Sequence, residues 1–341
     1  MAGTVVEVRR GDDGRWTALR QPYPENGAIE LVTWSRFDDE LIVMHSSPIV
    51  PASLYVSAGP GAEPKLLKRA PERFDAKGLT VERFFATSRD GSRIPYFVTR
   101  PQKLALDGSA PTLLYGYGGF ELPTIPNYLG DTGKWWLEKG GVWVSANIRG
   151  GGEYGPRWHE SVLKENREKV FEDFVAVAED LIARKITSPQ KLGIMGRSNG
   201  GLLVGACFTR RPELFTAVSC GSPLLDMLRY HKLLAGASWI GEYGDPEDPA
   251  LREIIRAYSP YQNLARDKKY PEVFFYTSTK DDRVHPGHAR KMAARMEEMK
   301  HPFVYYENIE GGHSAAANLE QSVRRAALQA VYFYQKLMDA K

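Results

Sequence analysis

Cysteine is scarce in this chain: Cys207 and Cys220 are the only two in 341 residues. Two cysteines build no disulfide framework. Neither lies in a turn beside a histidine, so neither reads as a nucleophile, and both are expected to be small buried hydrophobes. A reduced, cytoplasmic chain follows. No apolar run approaches the roughly 18 residues that suggest a membrane span, and Met1 is followed by no basic segment leading into an apolar one, so no signal peptide is expected. An excess of one charge is also missing. With 45 basic and 42 acidic residues the net charge is +3, which gives neither nucleic acid nor an anionic membrane a reason to bind. Internal repeats and low-complexity segments are absent as well. What remains is an ordinary globular composition, 43% hydrophobic and 26% charged, in a chain long enough to bury a sizeable core.

Along the chain the pattern changes once. Over the first 70 or so residues, short strand-like runs (Val5–Arg9, Trp16–Leu19, Ile29–Ser35, Leu41–Ser46, Ser53–Ser57, Pro64–Lys68) alternate with turn clusters such as Gly11–Gly14 and Gly59-Pro60-Gly61. Such spacing predicts about one four-stranded antiparallel sheet plus a remnant. From about Ala70 strands alternate with helices. The strands are expected at Ile94–Thr99, Thr112–Tyr115, Val142–Asn147, Leu192–Met195, Thr216–Ser219, Val273–Thr277 and Phe303–Glu307. Helices are expected at Glu168–Arg184, Gly287–Met299 and Asn318–Met338, the first with Phe171, Phe174, Val175, Ala178, Leu181 and Ile182 on one face. This alternation predicts an α/β fold, a mostly parallel sheet with helices on both faces, preceded by a small antiparallel β segment. The expected division is 1–70 and 71–341.

The richest stretch is Lys191–Gly201, a short apolar strand that runs into Gly196-Arg197-Ser198-Asn199-Gly200 and then a helix-forming segment, Leu202–Phe208. G-x-S-x-G between strand and helix is the nucleophile-elbow context, in which a sharp turn lifts the serine hydroxyl above the sheet. Alone the pattern is weak. Serine also needs a base within hydrogen-bond reach, itself oriented by a carboxylate.

The bases downstream are His231, His285, His288, His301 and His313. His285, His288 and His301 border a helix and are expected at the surface. His313 lies in the glycine-flanked loop Glu310–Ser314 directly after the strand Phe303–Glu307, where it can swing over the elbow. The acid is expected after Val273–Thr277, where Asp281 and Asp282 are adjacent, and spacing does not choose between them. An oxyanion needs preorganised donors. One is the backbone N–H of Asn199, and the second is expected from the loop Tyr115-Gly116-Tyr117-Gly118-Gly119-Phe120. As a phosphate cradle that loop lacks both the Walker ending and a GxGxxG helix entry.

With these motifs assembled, together with Asn147–Gly155, Asp281-Asp282-Arg283-Val284 and Gly312-His313, the segment from Ala70 to Lys341 resembles the catalytic domain of the prolyl oligopeptidase family of serine peptidases, an α/β-hydrolase fold. The resemblance selects Asp281 as the triad acid with Ser198 and His313, and implies that the Tyr117 hydroxyl completes the oxyanion hole. It further implies a proline pocket formed by Trp239 and Tyr243 with Phe120, Leu224 and Val284, and Arg283 as donor to the preceding peptide carbonyl. A flat indole suits a pyrrolidine ring that has no N–H. The expected reaction is cleavage after proline through an acyl-enzyme, with no metal or organic cofactor. No acidic pair stands ready for a substrate amino terminus, nor a carboxylate for a basic side chain.

Members of the family carry a seven-bladed propeller ahead of the hydrolase, whereas about one blade's worth of sequence precedes it here. The expected partners are therefore small peptides or esters, and a carboxylesterase acting on short-chain esters is the competing reading, with a non-catalytic scaffold as the third. The exposed edges of a lone blade predict that it packs on the hydrolase domain or forms a homo-oligomer.

Overall fold

The computed structural model describes residues 6–20, 23, 26–59, 62–313 and 316–339. Val5, Pro60, Gly61 and Ser314, placed above in a strand, a turn and the histidine loop, lie outside them. The chain divides into two compact units, the described parts of 1–83, 97–103 and 125–140, and of 84–96, 104–124 and 141–341.

In the first unit β1 (Val6–Arg10) and β2 (Trp16–Arg20) form an antiparallel pair. A separate sheet runs in the order β3 (Ala28–Trp34), β4 (Leu41–Ser47), β5 (Val50–Ser57), β6 (Lys65–Arg69), antiparallel throughout. Alternation of inward and outward residues is clearest in β4, where Val43, His45 and Ser47 are buried. A strand that the sequence reading passed over, β7 (Leu79–Thr87), follows, and then β8 (Arg93–Pro101). Neither face of β7 is well buried, so it carries no strong period-2 signal.

The large sheet has eight strands in the order β14-β13-β12-β11-β9-β10-β8-β7. Six adjacent members, from the edge strand β14 (Phe303–Asn308) through β13 (Glu272–Ser278), β12 (Ala217–Gly221), β11 (Leu192–Arg197) and β9 (Thr112–Tyr115) to β10 (Val142–Ala146), pair in parallel. Every residue of β10 and β12 is buried, as expected of parallel strands covered on both faces.

Flanking helices span Glu168–Ala183, Asn199–Arg210, Pro249–Tyr258, Gly287–Glu298 and Leu319–Phe333. The first buries Val170, Phe171, Phe174, Val177, Ala178 and Leu181, a stripe rotated slightly from the expected one, with Val175 and Ile182 at its margin. The last ends in a π-helical turn, Tyr334–Met338. Both cysteines are free and buried. Among the described residues no helix is long and apolar enough to cross a membrane.

Candidate active site

The parallel strands β9 and β11 are neighbours, with Tyr115 in register with Met195, while β10 pairs on the other side of β9. The strand order reverses here, and loops leaving the two carboxyl ends open a crevice. One of those loops is Gly116–Phe120 and the other is the turn at Ser198. At Ser198 the backbone takes φ 60° and ψ −121°, a conformation costly for a side chain-bearing residue and held by its surroundings. The turn is so tight that a Cβ on Gly196 would stand 2.1 Å from the Gly200 carbonyl oxygen. The helix Asn199–Arg210 starts at the next residue, so its unpaired N–H groups and positive dipole end face the hydroxyl.

The loops after β13 and β14 bring Asp281 and His313 together. His313 Nδ1 lies 2.9 and 3.1 Å from the two oxygens of Asp281. Asp281 Oδ1 also accepts the Arg283 and Val284 N–H groups at 3.0 and 2.9 Å. Burial of Asp281 opposes its ionisation, but the bonds from His313 and these two N–H groups outweigh it and hold the carboxyl below its usual value. An ionised Asp281 fixes Nδ1 as the protonated nitrogen and leaves Nε2 as a base. The adjacent Asp282 does different work: its Oδ1 accepts the backbone N–H of His313 at 3.0 Å. Arg197, beside the serine, donates to the His313 carbonyl, so His313 is held at ring, amide and carbonyl. His288 and His301, expected at the surface, are buried. His288 Nδ1 accepts the Leu225 and Asp226 N–H groups, and His301 Nε2 bonds the Ala265 carbonyl at 2.8 Å; a helix-flanking position says nothing about what packs over it.

The Tyr117 hydroxyl lies within interaction range of the Ser198 side chain. Burial raises its pKa, and the nearby Ser198 side chain only partly counters this, so the phenol stays a neutral donor. Gly118, at φ +64°, has no room for a Cβ, which would meet Ile148 Cδ1 at 2.6 Å. Asn199 is buried, its Nδ2 donating to the Tyr117 carbonyl at 2.5 Å and its Oδ1 accepting from the Tyr243 hydroxyl at 2.8 Å.

Of the residues assigned to the pocket, Phe120 is half-buried at φ +57° and meets Tyr243 edge to face at 5.7 Å between ring centres. Tyr243 is itself fully buried, behind Phe120 and Asn199. Trp239 ends the short helical turn Leu234–Trp239 and keeps 9% of its surface. Leu224 and Val284 are buried and Arg283 is exposed.

Sequence reasoning missed a charged cluster beneath this site. Arg167 is 1% exposed and donates to Glu242 Oε1 at 2.7 Å, the Gly118 carbonyl at 2.9 Å and Asn199 Oδ1 at 2.5 Å. Glu242 also accepts the Phe120 N–H at 3.0 Å and stands 2.6 Å from His159 Nε2. An arginine just ahead of a helix reads as a surface residue, and hydropathy carries no contrary signal. Among the described residues no group of three or more His, Cys, Asp or Glu could hold a metal ion.

Set against known proteins, residues 130–340 match the prolyl oligopeptidase family. The chain is 50% identical over 343 residues to an uncharacterised peptidase of Sinorhizobium fredii, covering 100% of this chain and 47% of that protein. It is 36% identical over 331 residues to the prolyl endopeptidase of Elizabethkingia miricola, covering 96% and 47%. Among solved structures, a post-proline cleaving enzyme from Rickettsia typhi superposes with a TM-score of 0.87 at 38% identity, over 98% of this chain and 48% of that one. The chain thus spans about half the length of the curated relatives it matches. With the parallel sheet, the serine turn and the Asp281–His313 pair in place, and a family match over most of the main sheet, the chain belongs to the prolyl oligopeptidase family.

Proposed function

We propose that this chain carries the catalytic centre of a serine peptidase that cleaves on the carboxyl side of proline. The observation that carries the reading is the hydrogen-bonded pair Asp281–His313, formed by loops at the carboxyl end of the same parallel sheet whose strand β11 leads into the strained Ser198. Ser198 Oγ attacks the acyl carbon and passes its proton to His313 Nε2. The resulting oxyanion accepts from the Asn199 N–H and the Tyr117 O–H. The C–N bond then breaks as His313 returns the proton to the leaving amine. Water repeats the sequence on the acyl-enzyme, gives its proton to His313, and releases the acid and Ser198. Bonds and protons balance with water as the only co-substrate.

Phe120, Leu224, Trp239, Tyr243 and Val284 form the proline pocket in this reading, and Arg283 donates to the carbonyl that precedes proline. Tyr243, being fully buried, acts as its floor behind Phe120. The sheet β3–β6 is one propeller blade, and its exposed apolar residues, among them Leu31, Trp34 and Leu66, favour self-association. Two free, buried cysteines suit a reducing, cytoplasmic compartment.

A substrate panel tests the reading. Wild type, Ser198→Ala and Trp239→Ala are assayed on a prolyl amide chromogen and on p-nitrophenyl acetate and butyrate. Ser198→Ala should lose both activities by roughly 10⁴- to 10⁶-fold, and Trp239→Ala should lose prolyl turnover while sparing small esters. Turnover of the esters alone by wild type would make the protein an esterase.

A further inference from the structure

The oxyanion hole proposed above has two halves on different segments. The Asn199 N–H opens the helix after β11, and the Tyr117 hydroxyl belongs to the loop after β9. Among the described residues no backbone hydrogen bond outside the strands joins 116–120 to 198–201, and the ties between them are made by side chains.

We infer that Arg167 is the positioning residue that joins the two halves, with Glu242 as its buried counter-charge; the inference rests on the serine-hydrolase reading above. One amino group, Nη2, donates both to Asn199 Oδ1 and to the carbonyl of Gly118, next to Tyr117. The other, Nη1, donates to Glu242, and the same Glu242 oxygen accepts the N–H of Phe120, at the far end of the loop. Through one planar group, the loop and the start of the helix are tied to a single rigid frame. The Asn199 amide completes it, donating to the Tyr117 carbonyl while Tyr243 donates to its oxygen. Arg167 also lies over the Tyr243 ring, 5.0 Å from its centre.

The chemistry of the guanidinium explains the residue type. Its donors sit in a fixed fork, so it bonds a carboxylate, an amide oxygen and a peptide carbonyl in one plane. An ammonium is a point charge and serves these partners less well. Stability does not explain the pair, because buried ions replaced by apolar groups of similar size often leave a protein equally stable or more so. Geometry does: a displacement of about 1 Å of a group aligned with the transition state costs on the order of 10²-fold in rate.

The test uses Arg167→Lys and the double variant Arg167→Met/Glu242→Gln, in which both charges leave together and folding is spared. Three readouts are taken: Ser198-dependent p-nitrophenyl acetate hydrolysis, the thermal midpoint, and amide hydrogen exchange of the segment 116–120. The double variant should keep a cooperative melt, lose kcat by on the order of 10²-fold with little change in KM, and exchange faster over 116–120. Arg167→Lys should fall between it and wild type. A folded double variant with wild-type kcat and wild-type exchange would overturn the inference, leaving Arg167 as packing. Wild type that turns over neither ester nor prolyl amide above the Ser198→Ala background would instead sink the hydrolase reading, and exchange over 116–120 would then decide alone whether Arg167 holds the loop.

Discussion

At His313 two neighbouring carboxylates divide one task. Asp281 orients the ring and Asp282 anchors the backbone N–H of the same residue. Asp281→Asn should therefore cut kcat by about 10⁴-fold through the wrong tautomer while the fold survives, as circular dichroism and steady-state kinetics would show. Asp282→Asn keeps an acceptor and should stay near wild type, whereas Asp282→Ala should cost about 10-fold through a loosened loop. Equal losses in all three would mean that the pair acts as one unit. His288 sets a pH dependence of stability. Burial pushes its pKa down to about 4, and the neutral ring accepts two backbone N–H groups. Between pH 6.5 and 4 the unfolded chain takes up a proton that the folded chain refuses, so this contribution is complete above pH 6.5 and is lost as pH falls toward 4. Urea unfolding at pH 7 and pH 5 should differ by about 2 kcal/mol from this residue, and His288→Gln should remove that difference.

Two element-scale features bring the crevice loops to their positions. The turn between β11 and its helix closes only without a side chain at 196, since a Cβ there would overlap the Gly200 carbonyl. Gly196→Ala should give little soluble protein, or soluble protein whose Ser198 no longer reacts with a fluorophosphonate; normal labelling would show that the turn can relax. The segment after β10 is clamped by Arg149, which bonds Asp173 at 2.6 and 2.8 Å and Asp90 at 2.6 Å. Asp173 is completely buried, and burial raises its pKa against the bonds from Arg149. Arg149→Met, which leaves that carboxylate without its cation, should destabilise by about 3–5 kcal/mol. Adding Asp173→Asn should restore much of the loss, which denaturant melts would detect.

Among the described residues, the first and smaller unit carries half of the exposed large apolar side chains. Leu31, Trp34, Phe37, Leu66 and Leu67 are all exposed, Phe37 at 99%, and β3 and β6 are edge strands of their sheet. Edges and apolar faces of this kind promote pairing with further chains. Sedimentation should show concentration-dependent self-association, weakened by Leu31→Lys and Trp34→Ser together. A monomer at all concentrations would remove self-association as the use of this surface.

Much of the fold was legible because strand and helix alternation is a local property: β9 falls where periodicity put it, and the helix from Glu168 starts at the expected residue. The serine, its candidate base and an aspartate pair were legible too, since turns and glycines mark loop ends in any sequence. Their division of labour was not. Whether Asp281 or Asp282 faces the imidazole, whether His288 is buried, and whether Arg167 lies under the crevice depend on partners far along the chain. Contacts of that kind leave no period and no composition. The sequence by itself determined the elements and the residue types at their ends; only the tertiary structure decided which charges are removed from water and what compensates each, because burial belongs to the packed molecule and not to any segment of it.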